Sequence, residues 1–432
     1  MPDKPGRMTM VSLQPEIRAE QADVAPAADI VQRLPWRVYV LCGLVAFLDG
    51  FDTQSVGPAA DSMAASIGID IQAFGPLFSA SQIGFLIGAV TFSALGDRFG
   101  RKRLLVAGTM LIALSSLGTA LAASYSQLLL IRILAGIGLG GVAPNFISLA
   151  SEFTPPALRA RVVTLLWAAV PIGGMAGSFL SAFTLERFGW QAIFLLGGAA
   201  PLLLVPVLAW LLPESREVRR SATPDAGGAQ RVAPLRTLLG EGRGTATLWL
   251  WLACWMTWTV LVVVGVWTPA LLQRAGWSLS MAASMLGLLN AGGVAGTVLI
   301  GAALRYVSPQ RALMVALTAA AASIACIGAL AHSFAAVAIA ATLAGFFSSA
   351  AGGSLLALSA SLYPERVRAT GVGWSMGVAR IGAVLGPVGV GLLVGWQWPP
   401  ASIYAAIALP AAVAAVAVLL LSRTATFRTA IR

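Results

Sequence analysis

Long apolar stretches recur along most of the chain, and each of them is long enough to cross a lipid bilayer. A transmembrane helix needs about 20 mostly apolar residues. Stretches of that kind lie near residues 36–58, 72–95, 104–123, 126–150, 162–184, 191–212, 247–271, 281–304, 312–331, 335–361, 370–394 and 401–421. With 58% hydrophobic and only 10% charged residues, the composition also differs from that of soluble domains. The sequence therefore predicts an all-α membrane protein with twelve transmembrane helices.

A polar segment separates the first six apolar stretches from the last six. Short sequences of the first half return in the second half at one constant offset, such as Leu-Ala-Gly at 134–136 and at 343–345. A duplication of this kind indicates two pseudo-symmetric six-helix bundles, a plan found in transporters that bind their substrate between the halves. We expect a disordered cytoplasmic tail at 1–33, bundles at 34–212 and 247–421, a cytoplasmic linker at 213–246 and a cytoplasmic tail at 422–432.

The net charge of +11 would suit a nucleic-acid-binding protein, but the positions of the basic residues indicate another cause. Lys and Arg collect in the cytoplasmic loops of membrane proteins. When the N-terminus is placed inside, nearly all of the 28 Lys and Arg lie on the cytoplasmic side, whereas Arg187 and Arg274 lie outside. An even number of helices puts both termini on one side. We therefore expect a multi-pass protein of a bacterial inner membrane, with both termini cytoplasmic and no nucleic-acid partner.

Residues that support catalysis or metal binding are few and scattered. Cys42, Cys254 and Cys326 lie in separate predicted helices, which does not fit a disulfide or metal framework. His332 is the only histidine and falls in a predicted outer loop, where a solvated side chain is the main interpretation and a proton relay the alternative. The sequence therefore predicts neither an enzyme nor a metal or cofactor site.

Charged residues inside the predicted helices are the strongest functional signal. Asp49, Asp52, Arg132 and Arg380 lie away from the cytoplasmic helix ends, and their formal charges sum to zero. Each would cost about 2.5 to 3.5 kcal/mol at the centre of a membrane helix. We therefore expect these four side chains to face a polar cavity and to pair with one another.

Asp49 and Asp52 are three residues apart, so they project from one face of the first predicted helix. Two carboxylates in an apolar setting repel each other, so the pair can share one proton that belongs to neither residue alone. We expect Asp49, Asp52 and Arg132 to couple proton movement to transport. The alternatives are that an aspartate is only a fixed counter-ion for Arg132, or that Asp49 lies near the outer headgroups.

Arg380 lies between Gly377 and Gly382, whose small size leaves space around the guanidinium group. A planar guanidinium group binds a carboxylate through two parallel hydrogen bonds. We expect Arg380 to bind the carboxylate of a small organic acid while the aspartate pair takes up a proton. A purely structural pairing of Arg380 with Asp49 or Asp52 is the alternative.

The loop after the second predicted helix carries a compact charged motif within SALGDRFGRKRLL at 93–105, namely Asp97, Arg98, Gly100, Arg101, Lys102 and Arg103. This stretch resembles the loop between helices 2 and 3 of the major facilitator superfamily, although Ser93 stands where that pattern has glycine. The stretch RILAGIGLGGVAP at 132–144 is similar to the superfamily's fourth helix. The resemblance covers about residues 36–421 and implies the major facilitator fold. It also implies that the loop motif is a cytoplasmic gate, with a topological role as the alternative for Arg103.

The segment DGFD at 49–52 narrows the resemblance. It is similar to the first-helix motif of the aromatic acid:proton symporters, a branch of the superfamily that imports aromatic carboxylates with protons. The resemblance implies that Asp49, Asp52, Arg132 and Arg380 are needed for transport of such an acid.

Two alternative functions stay open. A sugar or aliphatic metabolite symporter is one, because PESR at 213–216 also occurs in sugar porters, and a proton-driven exporter is the other, although VPIGG at 170–174 lacks the glycine before Pro171.

An aromatic substrate would need flat apolar walls and a few polar groups. Candidates for the walls are Phe51, Trp167, Trp258 and Trp374, and candidates for hydrogen bonds to the substrate are Gln82, Asn145 and Asn290. For each of them, packing between helices or toward lipid is the competing interpretation. The expected partners are thus an organic acid, protons and the lipid bilayer, and we expect the protein to act as a monomer.

Overall fold

The computed structural model describes residues 35–215, 238–240, 242–424 and 427. The predicted tail at 1–33, most of the predicted linker and most of the C-terminal tail lie outside the described residues. The described chain forms long helices, which we number α1 Trp36–Ile67, α2 Phe74–Phe99, α3 Arg101–Ala120, α4 Tyr125–Glu152, α5 Pro156–Phe188, α6 Gln191–Leu211, α7 Gly244–Arg274, α8 Leu279–Ala303, α9 Pro309–Ala329, α10 Phe334–Leu362, α11 Glu365–Gly395 and α12 Pro400–Arg423. A short 3₁₀ turn, Ile71–Ala73, precedes α2.

The number and type of these elements confirm the predicted all-α membrane fold. Within the described residues, eleven helices are long and apolar enough to cross a membrane. The twelfth long helix is α1, which has 32 residues but carries Asp49 and Asp52 in its middle. Several helices extend beyond the predicted stretches, since α5 covers 33 residues. Hydropathy marks only the part of a helix that is surrounded by hydrocarbon, so the polar ends were missed.

Close contacts between glycines and backbone carbonyls bring pairs of helices together in both halves. A Cβ atom added at Gly140 of α4 would lie 2.0 Å from the Phe85 carbonyl oxygen of α2. In the second half, a Cβ atom added at Gly296 of α8 would lie 2.2 Å from the Phe346 carbonyl oxygen of α10. Backbones approach this closely in membrane helix pairs only where small residues stand at the contact. The same pairing of helices through glycines therefore recurs in the two halves.

Hydrophobic packing joins the two halves at one end of the molecule. We call the end where α1 begins, α6 ends and α7 begins the linker end, and the opposite end the far end. One cluster of buried side chains near the linker end draws only on the first half and another only on the second half. A third cluster, toward the far end, contains residues of both halves, including Met63, Phe78, Trp267 and Met285. Among the described residues, the halves are thus closed against each other at the far end.

Candidate functional site

The two aspartates of α1 are buried, and they face different neighbours. Asp49 is 6% exposed and Asp52 is 2% exposed. Asp52 Oδ2 lies 3.4 Å from the Arg132 NH1 nitrogen of α4, within the first half. Asp49 Oδ1 accepts a hydrogen bond from the Thr53 hydroxyl at 3.5 Å and lies within electrostatic range of Arg380 of α11, in the second half. One aspartate therefore belongs to a pair inside one half, and the other faces across the two halves.

The Arg132 guanidinium group is held from several sides. Its NH2 nitrogen donates a hydrogen bond to the Thr119 hydroxyl of α3 at 2.7 Å. Its central carbon lies 5.7 Å from the centroid of the Phe194 ring of α6. Among the described residues, Asp52 Oδ1 and Arg132 Nε have no hydrogen-bond partner. The pair is thus buried, rigidly placed and incompletely satisfied, so that loss of either partner would leave an uncompensated charge.

The Arg380 guanidinium group lies over two aromatic rings. Its central carbon is 3.9 Å from the ring centroid of Phe85 in α2 and 4.6 Å from that of Trp258 in α7. Its NH1 nitrogen donates a hydrogen bond to Gln82 Oε1 at 3.4 Å. No described carboxylate lies within ion-pair distance of Arg380, so most of its N–H donors are available to a ligand. This arrangement offers a cation to an anionic group next to flat apolar surfaces.

A second polar contact between the halves lies nearer the far end. Gln54 of α1 donates a hydrogen bond from Nε2 to Asn290 Oδ1 of α8 at 3.2 Å. The Asn290 amide in turn donates to the Leu286 carbonyl oxygen at 3.0 Å. Gln54 also lies against Gly174 of α5 and Gly265 of α7, where an added Cβ atom would lie 2.8 Å and 3.2 Å from its side chain. The amide pair is therefore enclosed by helices of both halves.

Other predicted site residues lie elsewhere. Phe51 packs within the first half, near Gly177 and Gly197. The Asn145 amide donates hydrogen bonds to the Gly141 carbonyl oxygen at 2.8 Å and to the Phe92 carbonyl oxygen at 3.5 Å, which ties α4 to α2. Among described contacts, these two residues are thus engaged in packing within their own half.

The two remaining tryptophans are partly exposed. Trp167 of α5 is 37% exposed and Trp374 of α11 is 41% exposed. Trp374 stacks on Trp251 of α7, with ring centroids 6.0 Å apart. The predicted residues that meet around Arg380 are therefore Gln82, Trp258 and, through its charge, Asp49, whereas the tryptophans at 167 and 374 are not among its described contacts.

Sequence reasoning missed several residues of this region, namely Gln54, Phe85 and Thr119. Gln54 follows the aspartate motif directly and is a polar residue in a predicted membrane helix, which was a usable signal. Phe85 lies three residues after Gln82, one helical turn along α2, but an apolar residue in an apolar helix carries no sequence signal for contact with an arginine.

The charged loop motif is bound to the rest of the first half at the linker end. Arg101 forms an ion pair with Glu152 of α4 at 2.6 Å and contacts the Ser148 hydroxyl. The Lys102 backbone N–H donates to Glu214 Oε1 at 3.3 Å, and Arg103 Nε lies 4.0 Å from Glu214 Oε2. The basic run thus joins α3 to the end of α4 and to the segment after α6.

The remaining motif residues shape the turn between α2 and α3. Gly100 has a φ of +105°, a conformation that other residues rarely adopt, and a Cβ atom there would lie 2.6 Å from Glu214 Oε1. The Arg98 guanidinium group lies 5.3 Å from the centroid of the Phe99 ring. The Asp97 side chain lies outside the described part of the chain. The predicted role of Asp97, Arg98, Gly100, Arg101, Lys102 and Arg103 as a gate stays a prediction.

Comparison with known proteins identifies the family. The family model described as Major Facilitator Superfamily matches residues 42–331. A 4-hydroxybenzoate transporter of Pseudomonas aeruginosa is 35% identical over 411 residues, which cover 89% of this chain and 92% of that protein. A gallate transporter of Pseudomonas putida is 34% identical over 410 residues, with 89% and 91% covered. A 3-(3-hydroxy-phenyl)propionate transporter of Escherichia coli is 36% identical over 381 residues, with 88% and 92% covered.

Solved structures agree on the fold. A D-xylose-proton symporter superposes with a TM-score of 0.75 at 17% identity, covering 90% of this chain and 97% of the other. A bacterial homologue of the human lysosomal transporter Spinster, in an inward-facing and occupied conformation, gives 0.71 at 20% identity, with 90% and 96% covered. The relatives described here are named as transporters, which confirms the prediction that the chain is not an enzyme. The chain therefore belongs to the Major Facilitator Superfamily and, within it, to the aromatic acid:proton symporter family that its first helix resembles.

Proposed function

We propose that the protein imports an aromatic carboxylate together with a proton by alternating access of its two bundles. The single observation that carries this proposal is the Arg380 guanidinium group, held against the rings of Phe85 and Trp258 beside Asp49. The names of the relatives support an aromatic acid, since they include transporters of 4-hydroxybenzoate and gallate.

The substrate carboxylate binds the free edge of the Arg380 guanidinium group through paired hydrogen bonds. Phe85 and Trp258 already lie against this group, so the anion binds at the N–H edge that the rings leave open. The same rings give the aromatic ring of the substrate an apolar surface on which to pack. Gln82 fixes the orientation of the guanidinium group through its hydrogen bond. Trp167, Trp374, Phe51 and Asn145 take no direct part in this binding mode.

Proton coupling follows from the balance of charge around Arg380. In the empty site, Asp49 is the acid that offsets the charge of Arg380. When the substrate carboxylate binds Arg380, Asp49 loses that favourable interaction and becomes a buried carboxylate without a counter-ion. Such a group is best accommodated as the neutral acid. Substrate and proton therefore bind together, while Asp52 remains paired with Arg132.

Alternating access requires the halves to rock against each other around this site. The contacts between the halves toward the far end support a state that is closed there. With the linker end cytoplasmic, this is the state that releases substrate into the cell. The proposal assigns residues 34–212 and 247–421 to the moving bundles and 213–246 to a cytoplasmic linker. It places both termini in the cytoplasm, the protein in a bacterial inner membrane, and transport within a monomer.

Uptake by purified protein in proteoliposomes tests this function. The panel contains labelled benzoate, 4-hydroxybenzoate, a short aliphatic acid and xylose, each with and without an inward proton gradient. We expect accumulation of the aromatic acids that depends on the gradient. Accumulation of xylose or of the aliphatic acid alone would instead identify a sugar or metabolite symporter. Gradient-driven loss of preloaded acid from the vesicles would identify an exporter.

A further inference from the structure

The carboxamide of Gln54 has one hydrogen-bonding atom left over. Gln54 Nε2 donates to Asn290 Oδ1 at 3.2 Å, whereas Gln54 Oε1 is buried and has no hydrogen-bond partner among the described residues. Most buried polar atoms of native proteins find a partner, so an exception calls for an explanation. The acceptor lies against Gly265 of α7, where the absence of a side chain makes room for it.

The neighbouring residues fix which atom of Gln54 is left over. Asn290 donates its own amide to the Leu286 carbonyl oxygen at 3.0 Å, so its Oδ1 atom is the group that faces Gln54. An oxygen of Gln54 placed there would oppose another oxygen. Gln54 must therefore present its NH₂ group to Asn290, and its Oε1 atom stays free. The site thus offers an acceptor that only a donor such as a hydroxyl group can satisfy.

Gln54 lies beyond the Arg380 site in the direction of the closed far end. From Asp49 to Gln54, α1 rises by about 7.5 Å toward the far end. Trp258 of α7 contacts Arg380, and Gly265 of the same helix contacts Gln54. The helix rises by about 10.5 Å from Trp258 to Gly265, also toward the far end. A benzene ring with groups at opposite positions has a comparable length. A substrate bound to Arg380 by its carboxylate would therefore direct its opposite end toward Gln54.

We propose that Gln54 is a specificity-determining residue, whose Oε1 atom accepts a hydrogen bond from a hydroxyl group on the substrate ring opposite the carboxylate. The inference rests on the proposed function, because it assumes an aromatic acid bound by Arg380. Asn290 is then a positioning residue, since it turns the acceptor of Gln54 toward the substrate. An acid without a hydroxyl group at that position leaves the acceptor unsatisfied and binds more weakly.

Replacing Gln54 tests this inference by the ratio of two affinities. Gln54→Met keeps the length of the side chain and removes both polar atoms. The dissociation constants of purified protein for 4-hydroxybenzoate, 2-hydroxybenzoate and benzoate are measured for wild type and variant. We expect wild type to prefer 4-hydroxybenzoate over benzoate, and the variant to lose roughly 5- to 100-fold of that preference. The affinities for benzoate and 2-hydroxybenzoate stay within about twofold of wild type, within the usual context dependence.

Two further variants separate recognition from structure. Gln127→Leu changes an exposed glutamine in the first turn of α4, which has no described contact with Gln54 or Arg380, and is expected to alter none of the affinities. Gln54→Leu also removes the acceptor and is expected to lose the same preference for 4-hydroxybenzoate, which provides a second test if the Met variant does not fold. Equal weakening of all three acids by Gln54→Met, or an unchanged preference, would overturn the inference. If wild type binds none of the acids, the proposed function fails first, so the two failures are distinguishable.

Discussion

The two aspartates of α1 have the same chemistry and opposite settings. Asp52 forms an ion pair at 3.4 Å with Arg132, on a helix of the same half. Asp49 faces Arg380, on a helix of the other half, without a close ion pair. In the proposed cycle the helices of one half move together, so the pair of Asp52 and Arg132 persists through it. The pair of Asp49 and Arg380 spans the two halves, and without a close ion pair it leaves N–H donors of Arg380 available to a ligand.

Burial of a charge in this chain therefore does not by itself predict a role in substrate binding. The Asp52 and Arg132 pair is held by Thr119 and Phe194 and fixes the packing of the first half. The Asp49 and Arg380 pair leaves donors of the guanidinium group free for an anion. We therefore expect substitutions of Asp52 or Arg132 to lower mainly the stability of the protein. Substitutions of Asp49 or Arg380 should change mainly substrate binding or proton coupling.

Asp52→Asn should produce the largest effect on stability. It leaves Arg132 charged, buried and without a counter-ion, and breaking a buried pair in this way costs about 3 to 5 kcal/mol. We expect a clearly lower melting temperature of the detergent-solubilised protein and loss of uptake. Combining it with Arg132→Met removes both charges and should restore part of the stability without restoring uptake. If Asp52→Asn alone had the melting temperature of wild type, the pair of Asp52 and Arg132 would not have the stabilising role that distinguishes it from the pair of Asp49 and Arg380.

Arg380→Lys should produce the largest decrease in substrate affinity, while the stability of the protein stays nearly unchanged. Lysine keeps the charge but loses the planar donor edge that lies beside Phe85 and Trp258, so affinity for the acid should fall about a hundredfold. Substrate binding and uptake are measured together with the amount of protein in the membrane. Arg187→Lys is the matched control, because Arg187 also lies over a ring, that of Phe183, at 4.4 Å but outside the site. Wild-type affinity in the Arg380 variant would refute its role.

Asp49→Asn should separate substrate movement from proton movement. A difference of one pH unit is worth about 1.4 kcal/mol per proton, so a symporter with one proton gains about tenfold accumulation from it. The variant should lose this accumulation and still exchange labelled for unlabelled acid across the vesicle membrane. Asp70→Asn, in the segment between α1 and α2, serves as the control. Gradient-driven accumulation by the Asp49 variant would show that another group carries the proton.

Asp97→Asn should give the smallest effect, because the charged loop lies at the linker end, away from both pairs. We expect slower uptake, by less than about fivefold, and an unchanged dissociation constant of the substrate. Initial rates and equilibrium binding are compared on the same preparation. An unchanged rate would count against the gate that the loop motif predicts.

The buried charged residues could be predicted from the sequence, but their pairing could not. Four charges summing to zero in apolar helices predicted a buried polar site, and the motif DGFD predicted the family that the relatives confirm. The sequence left open which aspartate faces which arginine, because positions i and i+3 lie on the same face of a helix. Only the packing of the neighbouring helices decides which partner each of the two positions meets. Asn145 illustrates the same limit, since its hydrogen bonds to α2 depend on how closely α4 packs there.

The lengths of the apolar stretches were enough to predict twelve long membrane helices, because a bilayer admits the backbone of such a chain only as helices of sufficient length. Short sequences repeated at one offset were enough to predict two related halves. The cost of charge in hydrocarbon singled out Asp49, Asp52, Arg132 and Arg380 as the candidates for a functional role. Tertiary structure alone decided that Arg380 lies over Phe85 and Trp258 and that Gln54 meets Asn290. These contacts join residues far apart in sequence, and their geometry is set by the packing of whole helices rather than by any local preference of the chain.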